Sequence, residues 1–127
     1  MSSSHTRISG VRTIGVPVRD QDKALEFYTT VLGLSKRLDV TMPQGTRWIE
    51  VGPSSDGPTI ALGKEHDGVP AGVETGIRLT TADADADHAV LLARGVDASE
   101  VLRWPGVPPM FSFRDQDGNG LELVQQP

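Results

Sequence analysis

The chain contains no cysteine. That excludes a disulfide framework, a thiolate metal site and a cysteine nucleophile, and it suits a reducing cytoplasm. Histidine is almost as scarce, with three in 127 residues. His5 falls in an amino-terminal tail, His66 in the connector Lys64-Glu-His-Asp-Gly68, and His88 on a predicted helix beside Asp85 and Asp87. All three read as solvated, which leaves a histidine general base without support. Lysine and arginine form no run, and the net charge is −5, so nucleic acid is not an expected partner. No apolar stretch approaches the ~20 residues that span a bilayer. The opening Met1-Ser-Ser-Ser-His-Thr-Arg7 has no hydrophobic segment of signal-peptide type, so a soluble, cytoplasmic protein without a membrane partner is expected. No serine sits in a Gly-x-Ser-x-Gly turn, and Gly118-Asn-Gly120 lacks the spacing and context of a phosphate loop.

What is present is a chain of one domain's length, rich in turn formers, with Gly 14 and Pro 9. Near its end, Phe111, Phe113, Leu121 and Leu123 alternate with Ser112, Arg114, Glu122 and Gln125 around the turn cluster Asp115–Gly120. This is the period-two pattern of a hairpin with one face on a core. Glu122 then points away from both leucines, either into solvent or into a cavity where an acid is wanted. Earlier, Val11–Val18 reads as a strand and Asp20 as the N-cap of a helix. Ala24, Phe27, Tyr28, Val31 and Leu32 form that helix's apolar stripe, and Gly33 closes it. Three strands follow, Ser35–Thr41, Arg47–Val51 and Thr59–Gly63, giving the order βαβββ.

The second half repeats that order. Val73–Thr81 reads as a strand and Asp83–Arg94 as a helix with Ala86, Ala89, Val90 and Ala93 inward, ended by Gly95. Val96–Arg103 gives a strand, Pro105–Pro109 a loop, and the hairpin the last two strands. Gly33 and Gly95 lie 62 residues apart, the offset that also lays Thr13 on Thr75. A period this long, occurring twice, suggests a pseudo-symmetric pair sharing one site.

Val16-Pro-Val-Arg-Asp-Gln-Asp-Lys-Ala-Leu-Glu-Phe-Tyr-Thr-Thr-Val-Leu-Gly-Leu34 and Phe113-Arg-Asp-Gln-Asp-Gly-Asn-Gly-Leu-Glu-Leu-Val-Gln125 resemble the opening and closing motifs of the vicinal oxygen chelate superfamily. This is the superfamily of glyoxalases, bleomycin resistance proteins and extradiol dioxygenases. The resemblance implies an α+β fold in which two βαβββ modules form a curled open sheet around a cleft, with helices outside, usually in a homodimer. The expected layout is a flexible tail over 1–9 and a single domain over 10–127. Within it, module one spans 10–64, a connector 65–72 and module two 73–125.

Metal-using members of that superfamily place four ligands in the cleft, and the matching positions here fall on Thr13, Ala61, Gly76 and Glu122. Only Glu122 is an acid, and one carboxylate does not hold a divalent ion. No metal or other cofactor is therefore expected. Glu50 is one strand away from a family position and reads as a further cleft acid, as a solvent-facing acid or as a partner for Arg47. Trp48 and Trp104, the only indoles, serve either as core or as plates for a flat ligand. Met110 and Phe111 would extend such a wall beside Trp104. The expected ligand-binding set is thus Thr13, Trp48, Glu50, Gly76, Trp104, Met110, Phe111 and Glu122. The expected function is binding of a small organic molecule, with planar aromatics among the candidates, without metal. The alternative is a lyase, isomerase or dioxygenase of the same superfamily, metal-free with Glu122 as the catalytic group or metal-dependent with non-standard ligands.

Overall fold

The computed structural model describes residues 4–53 and 56–126. Residues 1–3 of the expected tail, Ser54 and Ser55 of the turn after the third strand, and Pro127 lie outside the described residues.

The first half runs β1 (Thr13–Val18), α1 (Gln21–Glu26), β2 (Ser35–Thr41), β3 (Arg47–Gly52) and β4 (Thr59–Lys64). Asp20 starts α1 as expected: its carboxylate accepts from the backbone N–H of Lys23 at 3.1 Å, satisfying one of the orphan donors of a helix start. Beyond Glu26 the helix widens into a π turn over Phe27–Val31, where Thr29 bonds its hydroxyl back to the Leu25 carbonyl at 2.6 Å. Gly33 then leaves the helix at φ +82°, a conformation that favours glycine.

The second half runs β5 (Glu74–Thr81), α2 (Ala84–Ala93), β6 (Leu102–Trp104), β7 (Val107–Arg114) and β8 (Gly120–Gln125). Asp83 caps α2 by accepting from Ala86 N–H at 3.0 Å. The strands form two four-stranded sheets of the same order, β1-β4-β3-β2 and β5-β8-β7-β6. In each, the first strand pairs in parallel with the last. The architecture is α+β, two βαβββ modules built from mixed sheets, as the repeat in the sequence implies.

Three local expectations need correction. The strand expected over Val96–Arg103 shrinks to Leu102–Trp104 with one isolated bridge from Ala98 to Phe113, because Asp97, Ala98, Ser99 and Glu100 are poor strand formers. The expected loop Pro105–Pro109 is instead a tight turn, with β7 already under way at Val107, opposite Trp104. The two prolines fit because the β7–β8 ladder begins only at Met110 opposite Val124, so their missing N–H groups remove no bond from it. On α2 the buried positions are Ala84 and Leu91, while Ala86, Ala89, Val90 and Ala93, expected inward, are all exposed.

One apolar cluster joins the halves. Val16, Val18, Ile49, Val51, Ile60 and Leu62 line sheet one, and Ile77, Phe111, Phe113 and Leu121 line sheet two, with Tyr28 and Leu91 from the helical segments. The turn between β7 and β8 clasps the join. The buried Asp115 carboxylate accepts from the Tyr28 hydroxyl at 2.7 Å, the Asn119 side chain at 2.9 Å, and the backbone N–H groups of Asp117 and Asn119 at 2.8 and 2.9 Å. Asn119, wholly buried, donates to the Pro17 carbonyl at 2.9 Å and accepts from Gly72 and Val73 N–H. Burial, and then the charge of Asp115, hold the Tyr28 phenol far above its ordinary pKa.

Candidate functional site

Because strand side chains alternate, each sheet has a second face opposite the core. On sheet one this open face is set by register. Thr13 stands opposite Thr59, Gly15 opposite Ala61, and Ala61 opposite Glu50, while Trp48 lies two residues before Glu50 on the same strand. Ile49 and Val51, in between, go to the core at 1% and 0% exposure. Thr13, Trp48, Glu50 and Ala61, all named from the sequence, are therefore brought together.

Glu50 is the polar centre of that face and is 4% exposed. Its Oε2 accepts from the Trp48 indole N–H at 2.7 Å, and its Oε1 accepts from the Thr59 hydroxyl at 2.8 Å. With the Thr59 proton committed to a carboxylate, the Thr13 hydroxyl, 2.8 Å away, is left to donate to Thr59. Arg12 Nη2 approaches Glu50 Oε2 at 3.6 Å from a largely exposed side chain. The Trp48 hydrogen bond, then those of Thr59 and the charge of Arg12, outweigh burial and hold the Glu50 carboxyl below the usual carboxylate range. Glu50 is thus a buried, ionised and fully partnered acid, and the readings of it as a solvent-facing acid or as a partner for Arg47 do not hold. Arg47 forks instead onto Asp39 at 2.9 Å and reaches Asp22 at 2.6 Å. The hydrogen bonds from Arg47 bring Asp39 down to about 2.

Sheet two presents a different face. Leu121 and Leu123 are buried, and Glu122 points the other way, as the alternation predicts. Glu122 stands between Arg78 on β5 and Ser112 on β7. Its side chain is 38% exposed, and Arg78 Nε donates to Oε1 at 2.8 Å. Beside it, Glu74 and Arg114 form a second ion pair. Met110, opposite Leu102 and Val124, and Trp104, at the end of β6, share this face. Trp104 is 66% exposed. Gly76 sits where β5 bulges between Glu74 and Arg78, at φ +74°. The bulge, and not a ligand, accounts for a glycine there.

Phe111 does not belong to this wall. It is 2% exposed, lies on the core face, and packs edge-on against His88 of α2 at a ring separation of 5.0 Å. The parity of its strand decides this, since Phe111 shares its face with Phe113 and not with Met110. His88 in turn bonds the Ser99 carbonyl at 2.8 Å, so it is tied to the α2–β7 packing.

The residues do not fit a metal. Of the four family positions, Ala61 and Gly76 have no donor atom, Thr13 offers a hydroxyl engaged with Thr59, and Glu122 is held by Arg78. Among the described residues, no three His, Asp or Glu side chains come together as a metal cluster. Among them too, no hydrogen bond or ion pair joins the open face of sheet one to that of sheet two. A pocket of about 390 Å³ lies elsewhere, among Ile14, Ile60, Ile77, Leu79 and Leu91 on the helix side, and touches neither Glu50 nor Glu122.

Sequence reasoning missed Thr59, Arg12 and Arg78, the partners that determine what the two acids do. Only strand register could have found them: Thr59 had to be laid against Thr13, and Arg78 against Glu122.

No helix among the described residues is long and apolar enough to cross a membrane. Residues 10–123 match the family model of the Glyoxalase/Bleomycin resistance protein/Dioxygenase superfamily. The chain is 34% identical to TnmS3, an antibiotic binding protein from Streptomyces sp. CB03234; the match covers 97% of this chain and 100% of that one, at a TM-score of 0.87. It is likewise 34% identical to a superfamily member from Sphaerobacter thermophilus DSM 20745, over 95% of this chain and 100% of that one, at a TM-score of 0.88. The uncharacterized protein YurT of Bacillus subtilis (strain 168) is 33% identical over 119 residues, 86% of this chain and 93% of its own length. With two βαβββ modules, a family match across nearly its whole length and relatives at one-third identity, the chain belongs to the glyoxalase/bleomycin resistance protein/dioxygenase superfamily.

Proposed function

We propose that this protein binds a small organic molecule, planar and aromatic in part, on its open sheet faces, without a metal. One observation carries the reading: Glu50 is already satisfied by protein donors and Glu122 by half, while both indoles stay accessible. Glu50 is closed off by Trp48 and Thr59, and Glu122 gives one oxygen to Arg78. What remains for a ligand is the exposed ring surface of Trp48 and Trp104, the thioether of Met110, and the free edge of Glu122. Glu122 serves here as a hydrogen-bond acceptor through the oxygen that Arg78 leaves free. The likeness to an antibiotic binding protein supports the same class of ligand.

The working form is a homodimer in the cytoplasm. Among the described residues β1 and β2 end one sheet and β5 and β6 the other, so each of these strands keeps an edge open to a second copy. The exposed Ile8, Val11 and Ile14 run up to and along β1. Light scattering on the purified protein reads the stoichiometry, with twice the chain mass expected. Calorimetric titration of polycyclic aromatic compounds into protein checked by elemental analysis reads the rest. Saturable binding in metal-free protein is expected. Binding that appears only on adding a stoichiometric divalent ion would overturn the proposal.

A further inference from the structure

A pocket of about 190 Å³ opens beside Trp48, with Gly15, Ala61 and Gly63 along its floor. It is small for a whole drug-sized ligand and fits one ring system of one. The floor is flat for a reason the fold does not supply. Gly15 and Gly63 have no positive φ, and a Cβ at either would meet nothing within 4 Å. A larger residue would be accommodated by the chain itself, and glycine within a strand weakens it.

The indole beside this floor does not lie free. A tryptophan side chain at a half-exposed strand position has several rotamers open to it, and its one polar handle selects among them. Here the N–H is fixed at 2.7 Å to Glu50, which is itself held by Thr59, backed by Thr13. Trp48 retains 37% of its surface, while its anchor retains 4%. The arrangement is a buried support carrying an accessible plate.

We propose that Glu50 is a positioning residue: it holds the Trp48 ring as the wall of this pocket, where the indole stacks on a planar aromatic or heteroaromatic group of the ligand lying over Gly15, Ala61 and Gly63. Glu50 does not touch the ligand. This rests on the small-molecule reading above and adds the subsite, the ring class it takes and the residue that organises it.

The test uses the full-length protein, with acridine as the planar probe. In Trp104→Phe protein, where Trp48 is the only indole, time-resolved fluorescence anisotropy without ligand is expected to show a ring that turns only with the whole molecule. Glu50→Ala adds a fast local component, and Glu50→Gln, which keeps an acceptor, largely restores the slow one. Calorimetry is expected to show acridine affinity falling about 10-fold in Trp48→Leu and in Glu50→Ala, the scale of one lost aromatic stack. In Glu50→Gln the fall is about 2-fold. Should Glu50→Ala fail the far-ultraviolet dichroism check for folding, Thr59→Val replaces it, with the same fast component and a smaller loss expected. A folded Glu50→Ala or Thr59→Val with unchanged anisotropy and affinity would overturn the proposal. Acridine binding that survives Trp48→Leu and is lost in Trp104→Phe would overturn it too, while leaving the small-molecule reading intact. No binding of acridine or any other planar compound to the wild type would overturn both.

Discussion

The two sheets have the same strand order and each carries an acid and an indole on its open face, yet the acids have opposite surroundings. Glu50 is sealed at 4% exposure by two neutral donors, with Arg12 approaching from outside at 3.6 Å, whereas the Glu122 side chain stays 38% exposed with Arg78 alone beside it. The indoles differ in the same sense: Trp48 is pinned through its N–H, while Trp104 is 66% exposed and, among the described residues, its indole N–H makes no hydrogen bond. A carboxylate inside a ring of hydrogen bonds acts on its neighbours; one at the surface, with lone pairs to spare, acts on whatever arrives. Repetition of the fold therefore does not repeat the chemistry, because burial decides what an acid is for.

The strongest way to break this comparison is to remove what keeps the two faces on one body. Asp115→Ala leaves the Tyr28 hydroxyl, the Asn119 amide and two backbone N–H groups without their acceptor. About 3 kcal/mol or more should be lost, at the upper end of single substitutions. Urea unfolding measures it, and a loss under 1 kcal/mol would mean that the apolar cluster alone joins the halves.

Next in size is the contrast between the acids themselves. Glu50→Ala orphans Thr59 and Trp48 and should cost about 2 kcal/mol. Glu122→Ala removes a half-exposed ion pair and should cost no more than about 1 kcal/mol. Thermal unfolding of both proteins in one buffer decides; equal shifts would erase the distinction.

Acid titration sharpens the same contrast. The folded-state pKa of Glu50 is depressed, so the unfolded chain binds more protons as pH falls, and stability rises with pH over that range. The contribution is present above the ordinary carboxylate value and disappears as pH drops through the lowered one. Between about pH 5 and pH 3 the wild type should lose stability more steeply than Glu50→Gln. Parallel curves would show that Glu50 is not held as an anion.

The smallest effect belongs to Glu122→Gln. Stability should move by roughly 0.5 kcal/mol or less, and affinity for a planar ligand should fall only a few-fold, since the amide still offers an acceptor. An unfolding shift of several kcal/mol would place Glu122 among the structural acids with Glu50.

Much of the fold was legible because its signals are local. Asp20 and Asp83 announce helix starts, Gly33 and Gly95 announce their ends, and the alternation through Phe111–Leu123 fixes which way Glu122 points. Phe111 went astray because its neighbour Met110 suggested a common wall, while the strand's parity separates them. The pairing of Glu50 with Thr59, and of Glu122 with Arg78, was not legible. It depends on which residue of one strand lies opposite which residue of another, and a slip of one position would exchange the faces. The short β6 was misjudged for a different reason: Asp97, Ala98, Ser99 and Glu100 are poor strand formers, and that local signal was passed over.

The clasp at Asp115–Asn119 also has a consequence in time. Asn119 reaches back to the Pro17 carbonyl across 102 positions of chain, and Tyr28 to Asp115 across 87. During synthesis β1 and its helix leave the ribosome long before their fastener exists. The first module must wait with its apolar face unclosed until the final residues emerge, which favours a slow last step of locking over early piecewise completion. A chain stalled before residue 115 would carry β1 to β7 without their fastener and remain digestible by protease, and extending it through β8 would confer resistance on β1 and α1.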